Sequence, residues 1–229
     1  MNRTFKTQRL TTSAVMLALA AVLAIVCALI PFLNLPFGGG FTIASMLPIV
    51  LISYIYGIKW GFFVSATYSV LQIFMDLALG TSSSVIMALF MPSSDEYMGA
   101  FAAVAILVLD YIVAYTVLGI GGIFRGRIKN KTAALCAGSV VALSLRYVAH
   151  ILSGAIFYGA WAEWFFSQEG FYAIGGWILE HISGGALALI YSVFYNGLYM
   201  IPEIIITAVA AVIVSRIPYI RKANAEDSI

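Results

Sequence analysis

Polar side chains at a spacing of four residues mark one segment of an otherwise apolar sequence. The spacing places them in a single stripe on a helix, and the stripe consists of Arg146, His150, Gly154 and Tyr158. A charged group in an apolar helix is costly, so the stripe is expected to face the interior of a helix bundle. Its glycine allows a ligand or another helix to approach the backbone closely. The stripe therefore predicts one wall of a polar pocket.

Two further segments carry groups of matching chemistry. Asp110 lies within one apolar run, and another run has Asn196 among tyrosines spaced by four residues, namely Tyr191, Tyr195 and Tyr199. A carboxylate accepts hydrogen bonds, and an aromatic face attracts a cation by roughly 0.5 to 2 kcal/mol. Together these groups suit a flat, polar, cationic ligand.

Each of these features also has a simpler interpretation, and the sequence leaves the choice open. A tyrosine stripe in a membrane helix also serves as an interfacial belt or as packing. Asp110 and Arg146 are compatible with a buried ion pair. Glu203 follows Pro202, where its expected role is to satisfy backbone groups freed by a proline kink, so we do not assign it to a site.

Composition identifies the setting of these segments. The sequence has 229 residues, of which 62% are hydrophobic and 10% are charged, whereas soluble domains have about 45–50% apolar and about 25% charged residues. The chain is therefore predicted to be an integral membrane protein. A net charge of +2 is too small to indicate a nucleic-acid partner, and the two cysteines lie in apolar runs that provide no disulfide framework.

Long apolar runs predict an all-α bundle. A membrane-spanning helix needs about 20 apolar residues, and the runs that qualify are 10–32, 61–80, 98–124, 132–160 and 186–217, with 43–57 as a shorter sixth. Lysine and arginine precede the first run, follow the last and occupy alternate connections, whereas 33–42, 81–97 and 161–185 contain neither. Under the positive-inside rule this pattern predicts six transmembrane helices in one domain over 1–229, with both termini cytoplasmic, in a bacterial cell membrane.

The sequence lacks the motifs of several catalytic classes. The patterns GxxxxGK[ST], HExxH and GxSxG are absent, and no cysteine–histidine cluster has metal-ligand spacing. We therefore expect no enzyme activity, no metal site and no cofactor. The energy for any transport is expected to come from another protein or from an ion gradient.

Three runs of the sequence resemble a known family. The runs are 109–114, 145–158 and 191–197, and they are similar to segments of the thiamine-specific substrate-binding subunits of energy-coupling factor transporters. The resemblance extends from Arg9 to Arg216. It implies a six-helix subunit that captures thiamine from outside the cell. It also implies that this subunit pairs with a transmembrane coupling subunit and two cytoplasmic ATPase subunits.

The resemblance implies roles for individual residues. Asp110 stands where the family has an acid that binds the aminopyrimidine ring of thiamine. Tyr191 and Asn196 match positions near the thiazolium ring and its hydroxyethyl arm. The full set of implied ligand-binding residues is Asp110, Tyr111, His150, Gly154, Tyr158, Tyr191, Asn196 and Tyr68.

Other positions of the implied pocket depart from the family. Tyr158 stands where some members have a tryptophan stacked on the ligand, with Trp161 and Trp164 nearby as substitutes. The cap over the pocket is assigned to either Phe37 or Phe41 in the first outward connection.

Small residues on the first helix resemble a docking motif. Ala14 and Ala18 match the alanine motif by which the family contacts its coupling subunit, and small residues at this spacing let helices pack closely. Packing within the chain is the alternative interpretation.

Two other functions are compatible with the sequence. The first keeps the fold and changes the cargo to another vitamin or to a thiamine precursor such as the aminopyrimidine. The second is a proton-coupled secondary transporter in which Asp110, Arg146 and His150 relay protons.

Overall fold

The computed structural model describes residues 3–35, 40–79, 91–92, 97 and 99–222. Within these ranges the chain is helical, and a single β-bridge joins Asn34 to Gly40. The helices are α1 (Arg3–Ala28), α2 (Leu47–Tyr56), α3 (Ile58–Leu79), α4 (Ala100–Gly122), α5 (Lys131–Phe157), α6 (Ala162–Phe166), α7 (Tyr172–His181), α8 (Gly184–Val214) and α9 (Pro218–Lys222).

Five of these helices are apolar and long enough to cross a membrane. They are α1, α3, α4, α5 and α8, and α2 is a shorter apolar helix. The all-α membrane bundle expected from the apolar runs is therefore confirmed. The cytoplasmic position of both termini stays a prediction.

The short helix α2 forms the centre of the bundle. Its 10 residues extend over about 15 Å, half of a hydrocarbon layer of about 30 Å. Pro48 lies in its first turn, where a missing backbone N–H costs nothing, and Gly57, whose φ is 90°, caps the C-terminal end of the helix after Tyr56. Every residue from Leu47 to Ile55 is buried. The other helices, rather than lipid, therefore surround α2.

Helix α4 departs from regular α-helical geometry in two places. The segment Leu107–Val113 is a π-helical turn, and Val117–Gly122 is a 3-10 helix. At the end of the 3-10 helix the backbone N–H of Gly122 donates to Ser53 Oγ at 2.9 Å. A Cβ atom on Gly122 would lie 2.4 Å from the Ser53 carbonyl oxygen, so glycine is needed for this contact between α4 and α2.

The structure differs from the expected organisation at its edges. Helix α1 begins at Arg3, several residues before the apolar run, because polar residues such as Lys6 and Gln8 are good helix formers and continue the helix. The connection 161–185 contains the two short helices α6 and α7. Phe37, one of the two expected caps, and most of 81–97 lie outside the described residues.

Candidate ligand-binding site

A cavity of about 440 Å³ lies among the helices. Its volume is within the range of about 300–1,000 Å³ found for small-molecule sites. Five helices line it, namely α1, α3, α4, α5 and α8. The segment between α1 and α2 adds Asn34, Leu35, Gly40, Phe41 and Thr42. The polar segments singled out from the sequence therefore converge on one cavity.

Seven of the eight residues assigned to a ligand site line this cavity. They are Asp110, Tyr111, His150, Gly154, Tyr158, Tyr191 and Asn196. Their contacts with a ligand stay a prediction. Phe41, the second of the expected caps, also lines the cavity.

Two side chains of α5 hold the carboxylate of Asp110. His150 Nδ1 lies 2.8 Å from Asp110 Oδ1, and Ser153 Oγ donates to Asp110 Oδ2 at 2.6 Å. Because an ionised carboxylate only accepts, Nδ1 of His150 carries the hydrogen. His150 Nε2 is buried and has no hydrogen-bond partner in the described part of the chain. The carboxylate and the imidazole are therefore fixed relative to each other, and the described residues leave one polar ring atom of His150 unsatisfied.

The π-helical turn of α4 determines how Asp110 is presented. A π turn contains an extra residue, is rare, and occurs frequently at functional sites. It changes the direction of successive side chains relative to a regular α-helix. Asp110 and its neighbour Tyr111 both line the cavity, although they are adjacent in sequence. The turn thus places an acid and an aromatic ring at the same site.

Asn196 is engaged by the protein itself. Its Nδ2 atom donates to the His150 carbonyl oxygen at 3.2 Å and to the Ser192 carbonyl oxygen at 2.9 Å, and its Oδ1 atom accepts from the Tyr199 hydroxyl. A Cβ atom on Gly154 would lie 2.2 Å from Ser192 Oγ. The glycine therefore permits the close packing of α5 on α8 that this network requires.

Arg146 forms a buried ion pair with Glu203, at 3.6 Å between Nη1 and Oε2. Arg146 Nη2 donates to the Tyr115 hydroxyl at 3.1 Å, and Glu203 Oε1 accepts from Thr42 Oγ1 at 2.7 Å. The alternative of an Asp110–Arg146 pair is therefore wrong, because each residue has a different partner. Glu203 connects α8 to Arg146 of α5 and to Thr42. From the sequence, its expected role was instead to satisfy backbone groups freed by a kink at Pro202.

Tyrosines form most of the aromatic surface of the cavity. The rings of Tyr191 and Tyr195 lie 5.6 Å apart between centroids, and the His150 and Tyr199 rings meet edge to face at 5.9 Å. Aromatic faces are attractive to cations. The six tyrosines that line the cavity are Tyr111, Tyr115, Tyr158, Tyr191, Tyr195 and Tyr199.

The described groups at the cavity carry more negative than positive charge. Asp76, Asp110 and Arg146 line it, and Glu203 lies against Arg146. Three carboxylates thus accompany one guanidinium. The negative groups outnumber the positive ones even if His150 is counted as positive. The field of these charges favours a cationic ligand over an anionic one.

Three aromatic residues lie away from the described cavity wall. Tyr68 is fully buried behind Tyr115, with ring centroids 5.6 Å apart. Trp161 and Trp164 pack edge to face against each other at 6.4 Å, and both are exposed. Neither Trp161 nor Trp164 lines the described cavity, and their role as substitutes for a stacking tryptophan stays a prediction.

Other cavity residues were not assigned from the sequence. Thr42 has no distinctive spacing, and its contact with Glu203 joins residues 161 positions apart. Gln72 and Asp76 do have a signal, because they are polar, lie near the end of an apolar run and are spaced by four residues.

The small residues of α1 lie on two faces. Ala20 and Ala24 are buried against the bundle, as is Ser13, which accepts a hydrogen bond from Trp60 Nε1 at 2.9 Å. Ala14 and Ala18 are exposed. Packing within the described chain therefore does not account for Ala14 and Ala18.

The fold and the cavity define a class of protein. The chain is a multi-pass helical membrane protein with an acidic, tyrosine-lined internal cavity, an arrangement suited to binding a small cationic ligand. A family model described as thiamine transporter protein (Thia_YuaJ) matches residues 10–106 and 76–168. The chain therefore belongs to the thiamine transporter protein family.

Individual relatives agree with this assignment. The chain is 33% identical over 218 residues to the thiamine transporter ThiT of Bacillus subtilis (strain 168), with 91% of each chain covered. A solved structure of ThiT from Listeria monocytogenes matches with a TM-score of 0.52 and 20% identity, covering 90% of this chain and 97% of that chain. The structural match supports the fold, and the sequence match supports the family.

Proposed function

We propose that the protein is the thiamine-binding membrane subunit of an energy-coupled vitamin importer. Membership of the thiamine transporter family supports the cargo, and the acidic, aromatic cavity supports binding of a cation. The observation that carries the proposal is the Asp110–His150–Ser153 cluster at a tyrosine-lined cavity. The protein binds and delivers its cargo and catalyses no reaction.

The two rings of thiamine differ in what they require from a site. The aminopyrimidine is neutral and has an amino group that donates hydrogen bonds, which a carboxylate such as Asp110 accepts. The thiazolium is a permanent cation, which the faces of Tyr191 and Tyr195 attract. Tyr111 and Tyr158 supply further aromatic surface, and His150 keeps Asp110 in place.

Calorimetry on the detergent-purified protein tests the cargo. We expect thiamine to bind with a dissociation constant of about 1 µM or lower, which corresponds to about −8 kcal/mol. No tryptophan lines the described cavity wall, so heat is a more direct readout than intrinsic fluorescence. The aminopyrimidine fragment should compete more weakly than thiamine. Equal affinity for the fragment would identify a precursor as the cargo, and absence of saturable heat with either compound would refute the proposal.

The direction of capture follows from the distribution of charge along the chain. Lysine and arginine are concentrated in the connections opposite to 33–42, 81–97 and 161–185. The positive-inside rule assigns those basic connections and both termini to the cytoplasm. The cavity, which residues of the first outward connection line, then takes its ligand from outside the cell.

A transmembrane coupling subunit and two cytoplasmic ATPase subunits complete the proposed importer. The chain has no phosphate-binding loop of its own, and Ala14 and Ala18 offer a small-residue surface for a partner helix. We expect Ala18→Phe to abolish co-purification with the coupling subunit while thiamine affinity stays unchanged. The matched control is Leu19→Phe, at an exposed position one residue further along α1. Equal loss in both variants, or in neither, would contradict a specific contact at Ala18.

A further inference from the structure

An exposed apolar stripe on α8 marks a surface of the bundle that lipid covers. Its residues recur every three or four positions, and they are Phe194, Leu198, Ile201, Ile205, Val209 and Ile213. From Phe194 to Ile213 the helix rises by about 28 Å, which matches a hydrocarbon layer of about 30 Å. Phe194 therefore lies at one boundary of the hydrocarbon layer, the boundary nearer to the start of α8.

Beyond Phe194 the same face of α8 is covered by α6 and α7. Leu187, two turns earlier on this face, is buried in an apolar cluster with Phe165 and Phe166 of α6 and Ile178 of α7. The rings of Phe166 and Phe194 meet edge to face, with centroids 5.8 Å apart. The helices α6 and α7 thus lie on the side of α8 that faces lipid, next to the hydrocarbon boundary.

The segment 161–181, which contains α6 and α7, is rich in exposed aromatic surface. Three of the four tryptophans of the chain lie in it, namely Trp161, Trp164 and Trp177, and all three are exposed. On α7, Ile174, Trp177 and His181 are spaced by three and four residues and form one exposed stripe, in which His181 stacks on Trp177. Tryptophan is enriched where a membrane meets water, because its ring is apolar and its N–H group is polar.

A second exposed face of α7 suits water. Ala173 and Glu180 are seven residues apart and share this face, which lies about 100° around the helix from Ile174. The segment 161–181 has no lysine or arginine, and its carboxylates, Glu163, Glu169 and Glu180, are exposed. Because acidic side chains are repelled by anionic headgroups, the lipid that suits this segment is zwitterionic.

We propose that the segment 161–181 is an interfacial segment, in which Ile174 and Trp177 insert into the headgroup–hydrocarbon boundary of a zwitterionic bilayer. Phe165 of α6 packs against Tyr191 and Tyr195, with ring centroids 5.3 and 5.9 Å apart. Tyr191 and Tyr195 line the cavity, so one aromatic layer separates the interfacial segment from the cavity wall. The contact with lipid does not depend on which ligand the cavity binds.

Spin labels on the full chain in phosphatidylcholine vesicles test the insertion. The parent protein has Cys27→Ala and Cys136→Ala, and one cysteine is then introduced and labelled in each of Ile174→Cys, Ala173→Cys and Ile205→Cys. The label at 205 is the reference for the middle of the hydrocarbon layer, and the label at 173 is the matched control on the second face of α7. We expect the label at 174 to be reached by oxygen and to be shielded from an aqueous nickel chelate at least about 3-fold relative to the label at 173.

Two results would overturn the proposal. Equal access of the nickel chelate to the labels at 174 and 173 would place α7 in water. Exclusion of both oxygen and the chelate from the label at 174 would assign the stripe to a protein contact, either with a second copy or within the chain.

Native tryptophan provides a second measurement that needs no cysteine. Phosphatidylcholine brominated near the headgroup should quench a larger share of the emission of the wild-type protein than of Trp177→Phe. Lipid brominated near the chain ends should quench the emission of Trp177 less. An equal quenched share in the two proteins, with lipid brominated near the headgroup, would show that Trp177 does not contact this boundary and would overturn the proposal.

Discussion

Replacement of Asp110 by asparagine is expected to raise the dissociation constant for thiamine about 100-fold, or about 3 kcal/mol. Asp110 accepts hydrogen bonds from His150 Nδ1 and Ser153 Oγ, and in the proposed complex also from the amino group of the ligand. Asparagine has one accepting oxygen, and its amide N–H groups must face at least one of these donors. The variant therefore leaves a buried donor unpaired and removes a charged acceptor. Titration calorimetry with thiamine measures the change.

Two variants make the Asp110 experiment specific. Glu180→Gln removes a carboxylate from the exposed surface of α7 and should bind thiamine like the wild type. Asp110→Glu keeps the carboxylate on a longer arm and should retain measurable binding. An affinity for Asp110→Asn within about 3-fold of the wild type would contradict the role of Asp110 as the acid of the site.

Hydropathy predicted the spans because a bilayer imposes a length and a composition on any helix that crosses it. The expected runs 98–124 and 186–217 correspond to helices Ala100–Gly122 and Gly184–Val214. The same signal did not predict the π-helical turn Leu107–Val113, since this turn has the same apolar composition as the α-helix around it. It also missed α6 and α7, which lie between spans and are too short for a periodic pattern.

Spacing within one helix predicted which side chains share a face, and tertiary structure decided their partners. Arg146 and His150 both line the cavity, as their interval of four residues indicates. The choice of Glu203 rather than Asp110 as the partner of Arg146 depends on how α8 packs against α5, which no local pattern encodes. The packing of the helices also places Tyr68 behind Tyr115. The family resemblance at position 68 did not indicate which of these two rings reaches the cavity.

The contacts of Gly154 and Asn196 connect binding to stability. Gly154 lines the cavity and also faces Ser192 of α8, and Asn196 shares its hydrogen bonds among α5, Ser192 and Tyr199. A substitution at either position therefore alters the packing of α5 on α8 as well as the cavity wall. Weak thiamine binding by such variants reports both effects, whereas Asp110→Asn preserves the shape of the side chain and isolates the chemistry of the site.

The largest expected effect on stability follows from removing Glu203. The residue is fully buried, and its loss in Glu203→Ala leaves the charge of Arg146 in the protein interior without its carboxylate partner. Breaking a buried ion pair in this way costs about 3–5 kcal/mol. For a chain of this size the apparent midpoint of thermal unfolding in detergent should fall by about 10 °C. The measurement is made without thiamine, so that ligand binding does not contribute.

A double variant separates the unpaired charge from the lost volume. Arg146→Met combined with Glu203→Leu replaces both ions with apolar side chains, and we expect it to recover most of the stability that Glu203→Ala loses. Ile205→Ala, at a half-exposed position two residues further along α8, is the control for simple truncation and should lower the midpoint much less. If Glu203→Ala and the double variant are destabilised equally, the cost comes from packing and from the lost contact with Thr42. In that case the Arg146–Glu203 pair does not account for the stability of this region.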